Sequence, residues 1–214
     1  LTDVTGVQTC ALPILHPGKT PLTPGVKSCV LRFRRRGRAC RLPRVTEKGD
    51  DENMKKGGFK MSPIGYIRAD ERGFRLEIAE EYRAGLEGLE GFSHVDILWW
   101  CHLLDGAGPR GAVTCEQPYR KGPATLGVFA TRSPARPNPV AVSVAPVLGI
   151  DRAAGVIRVP WIDAEDGTPI LDLKPYHPSV ERVRDAAVPG WCTHWPKWFE
   201  DSADFDWGAE LTHG

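Results

Sequence analysis

Residues 126–143 read LGVFATRSPARPNPVAVS and set two guanidinium groups, Arg132 and Arg136, in a stretch braced by Pro134, Pro137 and Pro139. Each proline locks its own φ and pushes the residue before it, Ser133, Arg136 or Asn138, toward extended backbone. A loop stiffened in this way presents its arginines with little entropy left to lose, which suits two-point recognition of a carboxylate or phosphate. The competing reading is that both arginines pair with the chain's own carboxylates. A second dense stretch, residues 161–176, reads WIDAEDGTPILDLKPY and gathers Asp163, Glu165, Asp166 and Asp172 beside Lys174 and Tyr176. Carboxylates so close raise one another's pKa and can supply a general base. They also cap turns, and Asp166 before Gly167 has the composition of a hairpin turn.

Short strands separated by turn signals must position these groups. The sequence predicts strands over residues 64–68, 74–78, 94–103, 113–117, 126–131, 140–150, 156–162 and 169–173, with a single short helix over 80–86. That order belongs to an antiparallel sheet or barrel rather than to alternating βαβ units. In the strand 94–103, Val95, Ile97, Trp99, Cys101 and Leu103 form an apolar face, and His94, Asp96, Leu98, Trp100 and His102 form a mixed one. At about 3.3 Å per residue His94 and His102 stand roughly 26 Å apart, so they cannot share one metal ion, and no metal site is expected. The chain lacks a Walker loop, GxSxG, HExxH and a strand-linked GxGxxG. Any nucleotide-like cofactor would have to bind without a Rossmann fold.

Composition changes near residue 53. Residues 1–53 are rich in Arg, Pro and Gly without apolar periodicity, and residues 4–14, VTGVQTCALPI, look like a widely used sequencing adapter read in frame. They lack the basic start of a secretory signal and are broken by Pro13. The expectation is a non-native, unfolded leader, with translation beginning at Met54 or Met61, so that the basic run from Arg32 to Arg38 is not a nucleic-acid-binding arm. Residues 54–214 then hold 18 Lys+Arg against 22 Asp+Glu, a formal net charge of −4. Their three cysteines, Cys101, Cys115 and Cys192, have no CxxC spacing, which predicts reduced thiols in a cytoplasmic protein. No apolar run approaches the roughly 20 residues of a membrane span, so no membrane association is expected. Residues 179–214 read as a C-terminal strap, aromatic and acidic, whose Trp191, Trp195, Trp198 and Trp207 pack onto the domain of residues 61–178.

Four ordered pieces carry a resemblance: Ile64-Gly65, GLEGFSH over residues 88–94, GVFATRSPARPNP over 127–139 and DGTPILDLKPY over 166–176. Together they resemble the TrmO/TsaA-like family. The resemblance implies a single-domain antiparallel β-barrel that dimerises and binds S-adenosylmethionine near the subunit boundary, to methylate the exocyclic nitrogen of threonylcarbamoyladenosine beside the tRNA anticodon. Carried over by position, the cofactor contacts it implies are His102, Leu103, Arg132, Val142, Pro160, Trp161, Ile162 and Asp163. Arg136, Asn138, Lys174 and Tyr176 would meet the substrate, and Asp172 or His102 would act as base. The chain departs from longer family members in two respects. Residues 68–73, RADERG, replace a longer Pro-Arg-Gln-type loop, and only the tryptophan tail stands where a further domain can follow. Two other readings stay open: methylation of a small metabolite, favoured by the acidic charge, and a non-catalytic barrel that binds RNA or an adenine nucleotide.

Overall fold

A computed structural model describes residues 60–212. The leader of residues 1–53 and Met54 lie outside the described residues. Nine strands are present: β1 (Gly65–Asp70), β2 (Gly73–Ile78), β3 (His94–Trp100), β4 (Thr114–Glu116), β5 (Thr125–Gly127), β6 (Val140–Pro146), β7 (Gly149–Asp151), β8 (Val156–Val159) and β9 (Pro169–Pro175). Seven of them form one sheet in the order β6-β3-β9-β1-β2-β8-β7, antiparallel throughout, and β4 pairs with β5 in a separate hairpin. No helix among the described residues is long and apolar enough to cross a membrane.

The core lies on one face of this sheet. Val95, Ile97 and Trp99 of β3, Ile67 of β1, Leu76 and Ile78 of β2, Ile157 of β8 and Ile170 of β9 are buried together. Alternation along each strand sends these side chains inward and their neighbours outward. The one polar group of Trp99 is satisfied, because its indole N–H donates to the Ser143 hydroxyl at 3.0 Å. Gly65 is required where β1 crosses β2, since a Cβ there would sit 2.2 Å from the Glu77 carbonyl oxygen.

The expected barrel does not close. β6 and β7 are the two edges of the sheet and do not pair, although only Val147 and Leu148 separate them in sequence. The Val147 N–H donates to the Ser93 carbonyl and the Leu148 N–H to that of Arg158, so the chain steps from the β3 side to the β8 side in two residues. The predicted strand 140–150 is therefore two strands on opposite edges. Pro146, which has no N–H, ends the first.

Other boundaries moved as well. β3 stops at Trp100 and the chain turns into a 3-10 helix over His102–Leu104, which leaves Leu103 61% exposed rather than on the apolar face. The strand expected over 126–131 gives way after Gly127 to a 3-10 turn, Val128–Ala130. The helix over Glu80–Leu86 is present in 3-10 form with Leu86 buried beneath it, and it is not alone: short helices also occur at Ala107–Arg110, Pro178–Glu181 and Trp207–Glu210.

Candidate active site at the C-terminal end of β3

The proline-rich loop is held by more than its prolines. The Arg136 guanidinium turns back into the loop, where Nε donates to the Ser133 carbonyl at 2.7 Å and Nη2 to the carbonyls of Thr131 at 2.6 Å and Val128 at 3.2 Å. The Thr131 hydroxyl, buried, donates to the Val128 carbonyl and accepts from the Ser133 N–H. Arg136 is thus an internal staple, a task that neither the substrate assignment nor the pairing with carboxylates anticipated. Asn138 is exposed. Phe129 projects from the stapled turn 82% exposed, between the buried Val128 and Thr131.

This loop is fastened to the end of β3. The Cys101 N–H donates to the Pro139 carbonyl at 2.8 Å, and Arg110 Nε donates to that of Pro137 at 3.1 Å. Arg132 reaches into β6, its Nη1 donating to the Val142 carbonyl at 3.4 Å. Val142 stands opposite Leu98 in the β3 register.

A second loop arrives at the same end from the β8 side. Gly167, with φ +77°, makes the turn that the Asp166-Gly167 pair predicted. The turn is pinned to β1 by Gly167 N–H to Ile67 O, Ile67 N–H to Thr168 O, and Ala69 N–H to the Asp166 carboxylate. Thr168 is buried, and its hydroxyl lies 3.3 Å from His102 Nδ1. Upstream in the same loop Ile162 is buried, Pro160 is exposed and Trp161 is 61% exposed. Burial, aided by the nearby Glu165, pushes the Asp163 carboxyl up to about 6.

The end of β3 therefore brings together the proline loop with Arg132, the Val142 carbonyl, His102, and the loop carrying Asp163 and Thr168. It does not bring Lys174 or Tyr176. Lys174 stands opposite Asp96, and Tyr176 lies against His94 with ring centroids 6.1 Å apart, toward the opposite end of β3. The antiparallel run of β9 carries these two away from the proline loop of Arg136 and Asn138 within one chain. Asp172 faces outward opposite Leu98, and its carboxylate accepts from Lys174 Nζ at 2.6 Å. Among the described residues no group of His, Cys, Asp and Glu could hold a metal ion.

One participant escaped the sequence reading. Thr168 stood inside the DGTP motif, and a hydroxyl between the turn at Gly167 and the strand that follows was a signal that could have been used.

An open antiparallel sheet with a stapled arginine loop at one strand end, met there by a loop that carries a half-buried carboxylate, defines a β-sheet protein with a polar, non-Rossmann site. More specifically, the chain belongs to the family of the tRNA-methyltransferase O N-terminal domain, whose model matches residues 59–182. It is 40% identical over 121 residues to a Pyrococcus horikoshii protein named as a probable S-adenosyl-L-methionine-binding protein, covering 56% of this chain and 85% of that one. It is 38% identical over 105 residues to the Escherichia coli tRNA (adenine(37)-N6)-methyltransferase, covering 48% of this chain and 44% of the enzyme. The crystal structure of TrmO from Pseudomonas aeruginosa matches with a TM-score of 0.46 at 34% identity, over 61% of each chain. The matched segment thus spans less than half of the Escherichia coli enzyme and most of the archaeal protein.

Proposed function

We propose that the protein is an S-adenosylmethionine-dependent methyltransferase, acting in the cytoplasm as a homodimer on the exocyclic nitrogen of threonylcarbamoyladenosine beside the tRNA anticodon. The observation that supports this reading is that two loops far apart in sequence, the proline loop of Arg132 and the loop of Asp163 and Thr168, are both fastened at the end of β3, through Cys101 N–H to Pro139 O and through Thr168 beside His102, in a chain of this family. The donor set fits the cofactor. The Arg132 guanidinium can hold a carboxylate, Asp163 can accept from an amine or ribose hydroxyl, and the exposed Trp161 offers a ring face to adenine or to a cation. His102 and Leu103, Val142, and Pro160 with Ile162 would supply the walls.

The bound cofactor supplies the methyl group from its sulfonium, in a direct displacement that needs no covalent intermediate on the protein. The protein's part is alignment and exclusion of water. The acceptor nitrogen must lose a proton as the new bond to carbon forms. Of the two candidate bases, His102 is favoured over Asp172. When His102 Nδ1–H donates to Thr168, Nε2 is left as an acceptor, whereas the Asp172 carboxylate is engaged by Lys174. Nucleoside mass spectrometry of tRNA from a deletion strain tests the reading. Loss of the N6-methylated threonylcarbamoyladenosine, restored by the wild-type chain but not by Arg132→Ala, is the expected result. An unchanged nucleoside profile would favour the second reading, a small-metabolite acceptor, which the net charge of −4 over residues 54–214 supports.

A further inference from the structure

Arg132 lies between two peptide planes, and both are held from within the proline loop. The plane before it carries the Thr131 carbonyl, which accepts from Arg136 Nη2 at 2.6 Å. The plane after it carries the Ser133 N–H, which donates to the Thr131 hydroxyl at 3.2 Å. One residue further on, the Ser133 carbonyl accepts from Arg136 Nε at 2.7 Å. A peptide unit is rigid, so holding the units on either side of a residue sets the direction of its side chain. Arg136 grips the chain on both sides of Arg132 with the Nε–Nη2 edge of one planar fork, a geometry that a lysine ammonium does not reproduce.

The fork is anchored outside the segment that it orients. Nη2 also donates to the Val128 carbonyl at 3.2 Å, and that carbonyl accepts in addition from the Thr131 N–H at 3.1 Å and the Thr131 hydroxyl at 2.9 Å. Val128 is fully buried, and its N–H donates to the Val113 carbonyl at 3.0 Å, which ties the turn to the residue preceding β4. The three carbonyls of residues 128, 131 and 133 thus converge on one half-buried guanidinium. Hydrogen bonds from a charged donor are the strong ones, so this centre resists the loss of any single contact.

We propose that Arg136 is a positioning residue for Arg132: it holds the peptide planes that aim the Arg132 guanidinium at the cofactor's carboxylate, and it makes no contact of its own with the substrate. This rests on the cofactor role proposed for Arg132, and it replaces the substrate role that the resemblance implies for Arg136. The test is a double-mutant cycle on the full chain, read by calorimetric affinity for S-adenosylmethionine, with the melting temperature of every variant measured alongside. Arg136→Lys keeps the charge and loses the fork, and should weaken binding about fivefold. Arg136→Met loses both and should weaken binding further, up to the loss in Arg132→Ala but not beyond it. In the Arg132→Ala background Arg136→Lys should change affinity by less than about twofold, because the group that it positions is gone. Thr131→Val, which removes the acceptor for the Ser133 N–H, should show the same pattern and carries the cycle if the Arg136 variants do not fold. A loss that persists undiminished in the Arg132→Ala background would mean that Arg136 acts on the site, or on the fold, independently of Arg132, and would overturn the proposal. So would affinity within about twofold of wild type in Arg136→Lys alone; a salt-sensitive loss of tRNA affinity in that variant would then return Arg136 to the substrate. In both of these cases weakened binding by Arg132→Ala leaves the cofactor reading in place. Normal binding by Arg132→Ala would remove that reading and the proposal with it.

Discussion

Asp163 is the residue whose titration should be visible in solution. Burial, with Glu165 next in effect, raises its carboxyl from an ordinary 3.8 to about 6. A carboxyl raised in the folded state keeps its proton over a range where the unfolded chain has released it. Its contribution to stability is therefore present below pH 4 and is lost as pH rises through about 6. Asp163→Asn should flatten that slope and make the protein more stable above pH 6, by about 1 to 3 kcal/mol, in denaturant titrations at successive pH values. The ligand dependence has the opposite sign. In the proposed cofactor role the ionised form is the acceptor, so affinity in calorimetry should fall as pH drops below about 6 in the wild type. The Asn variant should bind more weakly with no such pH dependence. A wild-type affinity that is flat between about pH 5 and pH 8 would remove Asp163 from the cofactor site.

At the scale of elements, one buried carboxylate lies at the centre of the strap's side-chain polar contacts. Glu210 receives Lys121, His194 and Trp195, and the hydrogen bonds from Lys121 and then His194 bring its carboxyl down to about 2. A depressed carboxyl stabilises the fold above its ordinary 4.5, and that contribution is lost as pH falls through about 2. Trp195 and Trp207 pack edge to face at 5.3 Å, and Phe205 meets Trp207 at 4.8 Å, so loosening the carboxylate should expose several indoles together. Glu210→Gln is expected to lower the melting temperature by several degrees and to shift tryptophan emission to the red. The far-UV signal of the sheet should stay as it is, because the core on β1, β2, β3, β8 and β9 does not use the strap. An unaltered emission spectrum would show that the indole cluster holds the strap without the carboxylate.

For the whole molecule, the prediction concerns assembly. Leu98 and Trp100 of β3 lie opposite Val142 and Val140 of β6, which makes an apolar row on the outward face of the sheet's edge. The proposed homodimer should bury such a row. Sedimentation equilibrium at micromolar concentration should give twice the 23.6 kDa chain mass. Leu98→Asp should shift the chain toward the monomer, with loss of cofactor affinity if the boundary between subunits completes the site. A wild-type monomer with intact cofactor binding would exclude the dimer.

The strand-rich antiparallel class, the apolar face of Val95, Ile97 and Trp99, and the turn at Asp166-Gly167 were determined by the sequence alone. Alternation and turn chemistry are local properties, written within a few residues of one another. The four ordered motifs likewise carried the family. The tertiary structure alone decided where local rules compete with long-range pairing. It ended β3 at Trp100 and broke the strand after Pro146, so that the sheet's two edges meet without closing. It folded Arg136 back onto its own loop, and it carried Lys174 and Tyr176 to the far end of β3 because β9 runs antiparallel to it. The stacking of Tyr119 on Trp191 of the strap was illegible for the same reason. Residues 119 and 191 share no periodicity, and only the packing of the folded chain makes them neighbours.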